Sequence, residues 1–448
     1  MLRISTPLSA ILLALSPLVC ANEAAPIQEV ERSAFMLTNS SFEYNEGLPI
    51  TFENPYTVSL FNAQNGENSD RLWSQTKSIF GYGLGVVGFI YLLPEDVSNW
   101  DKEGEVFRKW GSNVTEGPVW DRDAPWINYI GHPYFGGVYY QVARKSGYRQ
   151  WDSFLYALTM STFYWEYGVE AFAEVPAIQD LVVTPVLGWA VGEWAFQTEQ
   201  QIRKEGSQVW GSDFLGKTAL FLLDPVDGLG DSINSLFDKQ VVQAGTGYFG
   251  PKAVLTPNGE TETQFELSVN YQLGSGKAYR PSPYTQDYVS QTQDSVDTSI
   301  IGLGFGSGYT QLDSDWGVEN GPFLEASLGL YFTKAFSARL SYARAHLEDS
   351  ITGEDLAYEN YSVNGQYYFN QEANLRPYVM IGFGEEMRDQ DRDRKTFTSS
   401  FGAGLHYKLT NKLAIQTELK RFISTRYDTI DDTASINLIY RLNKGEWF

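Results

Sequence analysis

The feature that most limits what this chain can fold into is a period-two alternation running through its last third. Between residues 397 and 409, Phe397, Ser399, Phe401, Ala403, Leu405, Tyr407 and Leu409 share one face, and Thr398, Ser400, Gly402, Gly404, His406 and Lys408 share the other. Only an extended strand separates neighbours in this way. Leu324, Ala326, Leu328, Leu330 and Phe332 repeat the pattern against Glu325, Ser327 and Gly329, and Val379, Ile381 and Phe383 oppose Met380, Gly382 and Gly384. Ile436, Leu438, Tyr440 and Leu442 oppose Asn437 and Arg441. A soluble sandwich needs polar outer faces, whereas one face of each strand here is apolar or aromatic to its ends. The connections alternate too. Thr333-Lys334-Ala335 and Thr410-Asn411-Lys412 are tight turns, while 347–355, 388–395 and 425–432 are longer and charged. Short turns on one side and long polar loops on the other describe an outer-membrane barrel. Counting back from Leu442 predicts eight strands beginning near Ser299, with both ends on the short-turn side. A ninth candidate, 263–273, carries Phe265, Leu267, Val269 and Tyr271 on one face. It is either a stray edge strand or half of a pair that would make ten.

Eight strands enclose a lumen too narrow for an aqueous channel and filled by side chains. Glu325, Arg339, His406, Glu418, Lys420 and Arg441 fall on the polar faces, which predicts a buried salt-bridged network rather than a pore. The rest of the 448 residues exceeds what one core needs. Lys and Arg number 33 against 55 Asp and Glu, a net charge of −22. That excludes nucleic acid as a partner, since a phosphate binder needs a basic face. The single Cys rules out an internal disulfide.

The first residues read as an export signal. Arg3 precedes a short apolar run around residues 11–15, and Val19-Cys20-Ala21 offers a small-residue cleavage site before Asn22. Residues 1–21 are therefore expected to be a signal peptide, and 22–74 a polar lead-in. Residues 75–240 change to helical patterning. Long helices are expected at 151–174 and 181–201, a third at 214–223, and a fourth at 128–145 broken near Pro133. Charged residues and Pro185 interrupt the two apolar stretches, so they predict a periplasmic bundle rather than membrane spans. Residues 79–93 are expected as an element packed on that bundle. Residues 241–298 form a connecting segment with one extra strand, and 299–448 the barrel.

The helical region carries the unusual chemistry. Glu166, Glu170 and Glu174 recur every fourth residue, on one stripe of a regular helix. Aromatic neighbours at 163–165 make burial plausible, and burial raises carboxylate pKa values. His132, one of three histidines, stands in Gly131-His132-Pro133-Tyr134, and Asp180 and Glu193 belong to the following helix. A histidine with carboxylates suits acid–base chemistry or a metal. The plainer reading is a structural network with Arg144 or Lys145 neutralising the acids. Asp224, Asp227, Asp231 and Asn234 do not match an EF-hand and read as a helix-ending turn. No zinc-protease, nucleophile-elbow or phosphate-loop motif is present.

Two resemblances add to this. The barrel region resembles OmpA-like eight-stranded domains, with Arg376-Pro377-Tyr378-Val379 leading to Gly382 as a strand start of their kind. Trp120-Asp121-Arg122-Asp123, Asn128, His132-Pro133-Tyr134, Gly137-x-Tyr139-Tyr140, Ala143-Arg144 and Gly147 precede Trp165-Glu166-Tyr167, Glu170, Pro176-x-Ile178-x-Asp180, Thr184-Pro185, Gly188 and Gly192-Glu193. Together these resemble a bacterial envelope family known only as a domain of unknown function. The resemblance covers about 120–200 closely and implies location and architecture without a reaction. Many relatives carry a second histidine where this chain has Phe135, and Asn where it has Gln179.

The expected fold is α+β: a periplasmic or membrane-associated helical domain followed by a C-terminal antiparallel transmembrane β-barrel of about eight strands in a Gram-negative outer membrane. The expected role is structural, or binding of lipid or a partner, without cofactor or metal. Outer-membrane lipids and, during biogenesis, the barrel assembly machinery are the expected partners; no partner protein is identified. The alternative is a lipid-modifying enzyme using His132, Glu166, Glu170 and Asp180.

Overall fold

The computed structural model describes residues 54–63, 65–92, 106–120, 127–226, 228, 246–255, 261–270, 294–388, 395–424 and 428–442. The expected signal peptide, most of the lead-in, Asp227, Asp231 and Asn234 lie outside these residues.

The alternation folds as read. Strands β3 (Ile301–Gln311), β4 (Gly321–Leu330), β5 (Phe336–Glu348), β6 (Asp355–Tyr368), β7 (Leu375–Arg388), β8 (Lys395–Lys408), β9 (Leu413–Ser424) and β10 (Ile430–Arg441) form a closed antiparallel barrel. β10 pairs back onto β3, so both chain ends of the barrel lie on the short-turn side. The extra strand is half of a pair, but the pair stands outside the barrel: β1 (Thr246–Leu255) and β2 (Thr261–Asn270) make a separate two-stranded sheet. The barrel therefore stays at eight.

Inside, the polar faces compensate one another. Glu418 accepts from Arg339 and, at 2.9 Å each, pairs with Lys420 and accepts from the Tyr378 hydroxyl. Gln416 bridges Arg339 and His406, Asn437 donates to Glu325, and Arg441 donates to the Ser299 carbonyl. Each of these side chains is buried, as expected of a filled lumen.

The helical part comprises α1 (Ser69–Leu92), α2 (Val106–Glu116), α3 (His132–Arg144), α4 (Gln150–Thr159), α5 (Ile178–Lys204) and α6 (Asp213–Leu223). α1 begins inside what reads as lead-in. Among the described residues no helix is long and apolar enough to cross a membrane. The break near Pro133 is real: a wide π-type turn, Ile127–Gly131, leads into α3, whose first turn accommodates Pro133 because its amide needs no partner there. The expected single helix over 151–174 is not one helix. After α4 the chain winds as a π-helix over Met160–Val169 and tightens to a 3-10 turn at Glu170–Phe172. α2 braces this rewound stretch, Trp110 donating to the Tyr167 carbonyl at 2.9 Å and Asn113 to that of Ala171 at 3.0 Å.

α3 and α5 run parallel and almost touch. A Cβ added at Gly136 would stand 2.1 Å from the Thr184 carbonyl oxygen, and one at Gly188 would stand 2.6 Å from the Gly136 carbonyl carbon. Only glycine permits this approach. It aligns His132 with Asp180 at one end, Tyr140 with Glu193 further along, and Lys145 with Glu199 at the other. Arg144 and Lys145 serve this seam, and Arg149 serves the start of α4. Arg144 pairs with Glu193 and Asp294, both at 2.9 Å, Lys145 with Glu199 and Asp224, and Arg149 with Asp152 at 2.7 Å.

The bundle packs on the outer wall of the barrel. Its apolar core includes Ile301 and Leu328, which face outward from β3 and β4, and Leu330, Phe332 and Leu442 border it. Tyr56 donates to the Phe332 carbonyl and meets Trp151 edge-on at 5.0 Å. Higher on the wall, Trp120 lies flat on Tyr342 (4.6 Å) and Tyr361 (4.9 Å). These tyrosines are cross-strand partners and the seventh residues of β5 and β6. The seventh residues of β7 and β8, Ile381 and Phe401, also face outward and are 73% and 49% exposed, against 4% for Tyr361. The bundle thus covers one sector of the belt that other strands present to lipid.

Candidate functional site

The four candidate residues meet at the N-terminal ends of the two parallel helices. His132 opens α3 and Asp180 lies in the first turn of α5. Helix N-termini favour negative charge, so the dipole of α5 supports the Asp180 carboxylate in its first turn. His132 Nδ1 stands 3.3 Å from Asp180 Oδ1. Glu166 arrives from the π-helical stretch, and one ligand-capable atom from each of His132, Glu166 and Asp180 falls within 4.8 Å of the others. Glu170 is hydrogen-bonded to Glu166. Glu174 does not continue a helical stripe, because the helix ends at Phe172; it still adds its charge to the surroundings of Glu166.

Glu166 is 1% exposed. One of its oxygens accepts from the Ala177 amide at 3.1 Å, at the start of α5. Burial pushes its carboxyl up to about 8, and the charges of Asp180 and Glu174 act the same way. The hydrogen bonds from Glu170 and Ala177 only partly oppose them. Tyr139 is buried nearby, its phenol held well above the ordinary range by burial, by two neighbouring tyrosines and by Glu170 and Glu166.

Arg144 neutralises Glu193, one of the acids of the plainer reading, at 2.9 Å, but neither it nor Lys145 stands at the His132 end of the seam. They lie three turns along α3 from His132 and are engaged by Glu193, Asp294, Glu199 and Asp224. Asp224 is accordingly a salt-bridge partner at the end of α6 rather than part of a calcium loop. Phe135, in the place of the relatives' second histidine, is exposed, and Gln179 is buried beside Asp180.

The backbone that holds the site also holds the barrel. Val119 pairs in parallel with Ala177, donating to the Pro176 carbonyl at 2.9 Å and accepting from Ile178 at 2.8 Å. The amide of Ala177 binds Glu166, and the residue after Val119 is the Trp120 stacked on the barrel wall. There, Tyr342 donates to Glu359 and Tyr361 to Glu385. Sequence reasoning names Trp120 only as part of the family motif and does not single out Tyr342 or Tyr361. A signal existed: Glu359 and Glu385 sit on the outward face of β6 and β7, where a lipid-facing strand does not carry charge without cost.

Comparison with known proteins agrees with both resemblances. Residues 117–226 match a domain of unknown function, DUF3943. Residues 285–441 match the outer membrane protein beta-barrel domain. No curated protein matches the chain. Among solved structures, the chain is similar to Neisserial surface protein A (11% identity, TM-score 0.28, covering 32% of this chain and 97% of that one). It is also similar to the N-terminal barrel of Pseudomonas aeruginosa OprF (17%, 0.25, 32% and 98%) and to Ail of Yersinia pestis (18%, 0.24, 32% and 99%). This chain therefore joins a domain of unknown function to an outer-membrane-type β-barrel.

Proposed function

We propose that the barrel anchors the helical domain in the outer membrane of a Gram-negative cell, on the periplasmic side, and that the helical domain binds outer-membrane lipid along its exposed apolar face. The observation that carries this reading is the covered sector of the barrel wall. Trp120, Tyr342 and Tyr361 stack at the mid-height of β5 and β6, level with side chains that other strands turn to lipid. The bundle also exposes Tyr129, Ile130, Phe135 and Phe163, and Tyr129 lies within electrostatic reach of Tyr342 in that seam. Exposed apolar side chains on a domain packed against a lipid belt are solvated best by the same lipid. Assembly would follow the route of other such barrels, through the barrel assembly machinery.

Spin labels test this. In the mature protein, which cleavage before Asn22 leaves without cysteine, a nitroxide at Ile130→Cys or Phe135→Cys is expected to collide with oxygen as readily as one at Ile381→Cys, and to be shielded from a water-soluble nickel relaxant. Nickel accessibility equal to that of Ile351→Cys, in an exposed long loop, sinks the reading.

A second reading, a lipid-modifying enzyme, is favoured by the convergence of all four candidates. Asp180 would orient His132 for proton transfer, and Glu166 with Glu170 would supply the second acid–base group. Mass spectrometry of outer-membrane lipids decides it, comparing strains with the wild type, with Glu166→Gln at equal protein level, and without the gene. A lipid species that tracks the wild type alone supports catalysis; three identical profiles remove it.

A further inference from the structure

We propose that His132, Glu166 and Asp180 form a mononuclear site for a divalent first-row transition-metal ion, with Glu170 holding Glu166 in position. Three separate elements supply the donors: the start of α3, the π-helical stretch and the first turn of α5. Convergence of a histidine and two acids from three elements is not a by-product of helical spacing. Among the described residues no other group of three such side chains gathers as closely.

The distances suit an ion. Donors bound at about 2.0–2.2 Å in a tetrahedral shell lie about 3.3–3.5 Å apart. His132 Nδ1 and Asp180 Oδ1 already stand at 3.3 Å, and small side-chain rotations bring a Glu166 oxygen in from within 4.8 Å. The donor types narrow the choice. An imidazole nitrogen with carboxylate oxygens suits zinc, manganese, iron or cobalt better than calcium or magnesium, which take oxygen alone.

The charge pattern points the same way. Other buried acids of the bundle, Asp152, Glu193 and Glu199, each meet an arginine or lysine within 3.2 Å. Glu166 is instead surrounded by Asp180, Glu170 and Glu174. A divalent cation supplies the compensation that the bundle gives its other acids through Arg144, Lys145 and Arg149. Access is graded as well: the His132 side chain is 13% exposed and that of Asp180 3%, so the ion would be reached from the His132 side, with its open coordination position there. Such a position is what a catalytic metal keeps and a structural one lacks. This inference does not depend on how the bundle meets lipid.

The protein contains its own control. His346 and Asp355 also stand at 3.3 Å, but on exposed strand ends, and among the described residues they belong to no group of three donors. The test uses the full mature protein in detergent, stripped with chelator and titrated with Co²⁺, followed by visible absorption and equilibrium dialysis, then by Zn²⁺ displacement. Wild type and His346→Gln are expected to take up one equivalent that Zn²⁺ displaces. His132→Gln and Asp180→Asn are each expected to bind about tenfold more weakly or worse, with near-ultraviolet dichroism confirming that they fold. If one variant fails to fold, the other decides. Uptake by wild type well below one equivalent, uptake unchanged in the folded variants, or a loss as large in His346→Gln overturns the proposal.

Discussion

The molecule buries carboxylates in two places and treats them in opposite ways. In the barrel, Glu418 is enclosed by strands and held by Arg339, Lys420 and Tyr378. In the bundle, Glu166 is enclosed by helices and held by one backbone amide and by other acids. A buried charge without compensation costs several kcal/mol, so the first arrangement is what a stable interior requires. The second persists because the surrounding helices determine it. Sites kept in such a state are where ligands and chemistry are found. The same bundle gives Asp152, Glu193 and Glu199 a basic partner, so the contrast is drawn at Glu166.

Several substitutions test the contrast. The largest effect is expected from Glu418→Gln, which removes the carboxylate that Arg339 and Lys420 share. Breaking a buried pair of this kind costs about 3–5 kcal/mol, read as a fall in the urea midpoint of the barrel's heat-modifiable gel mobility. Trp120→Ala removes two stacked aromatic contacts and should loosen the bundle from the wall by about 2–3 kcal/mol. Limited proteolysis should then cut the bundle while the barrel stays intact; simultaneous loss of both would show that the wall contact is not a separate seam. Gly136→Ala forces a methyl against the Thr184 carbonyl and should cost the bundle about 1–3 kcal/mol, seen in tryptophan fluorescence unfolding with unchanged barrel mobility.

A smaller effect is expected from pH. In chelator-treated protein Glu166 titrates near 8, against 4.5 for a free glutamate. Between those values the folded protein holds a proton that the unfolded chain has released. Stability contributed by this group is therefore full below about 4.5 and declines as pH rises through about 8. Unfolding curves across that window should flatten in Glu166→Gln; an unchanged slope would assign the pH dependence elsewhere.

Much of this was legible in the sequence, for reasons tied to particular residues. The barrel was, because lipid outside and side chains inside force the alternation seen at 397–409 in every strand. His132, Glu166, Glu170 and Asp180 stood out as polar groups in apolar helices, and they do meet. The rewinding at Met160–Val169 carries no periodic signal, so in sequence the acids have the spacing of a regular stripe. Arg144 and Lys145 were near enough in sequence to serve the cluster, but the parallel α3–α5 crossing through Gly136 and Gly188 sets them three turns away. The upper part of the bundle's seam with the wall rests on Trp120, a single residue at the edge of a helical region, and on outward-facing Glu359 and Glu385, which the apolar pattern of the other strands obscures.

The contrast between the two buried acids is tested most directly by making one chemical change in both places. Urea unfolding of Glu166→Gln, in chelator-treated protein at neutral pH and beside Glu418→Gln, uses the same loss of charge at each site. The account predicts that Glu166→Gln unfolds within about 1 kcal/mol of wild type, because a buried carboxyl that is already protonated is replaced by an amide of the same shape. A destabilisation of about 3 kcal/mol or more, matching Glu418→Gln, would contradict it and make the helical cluster a structural tie like that of the barrel.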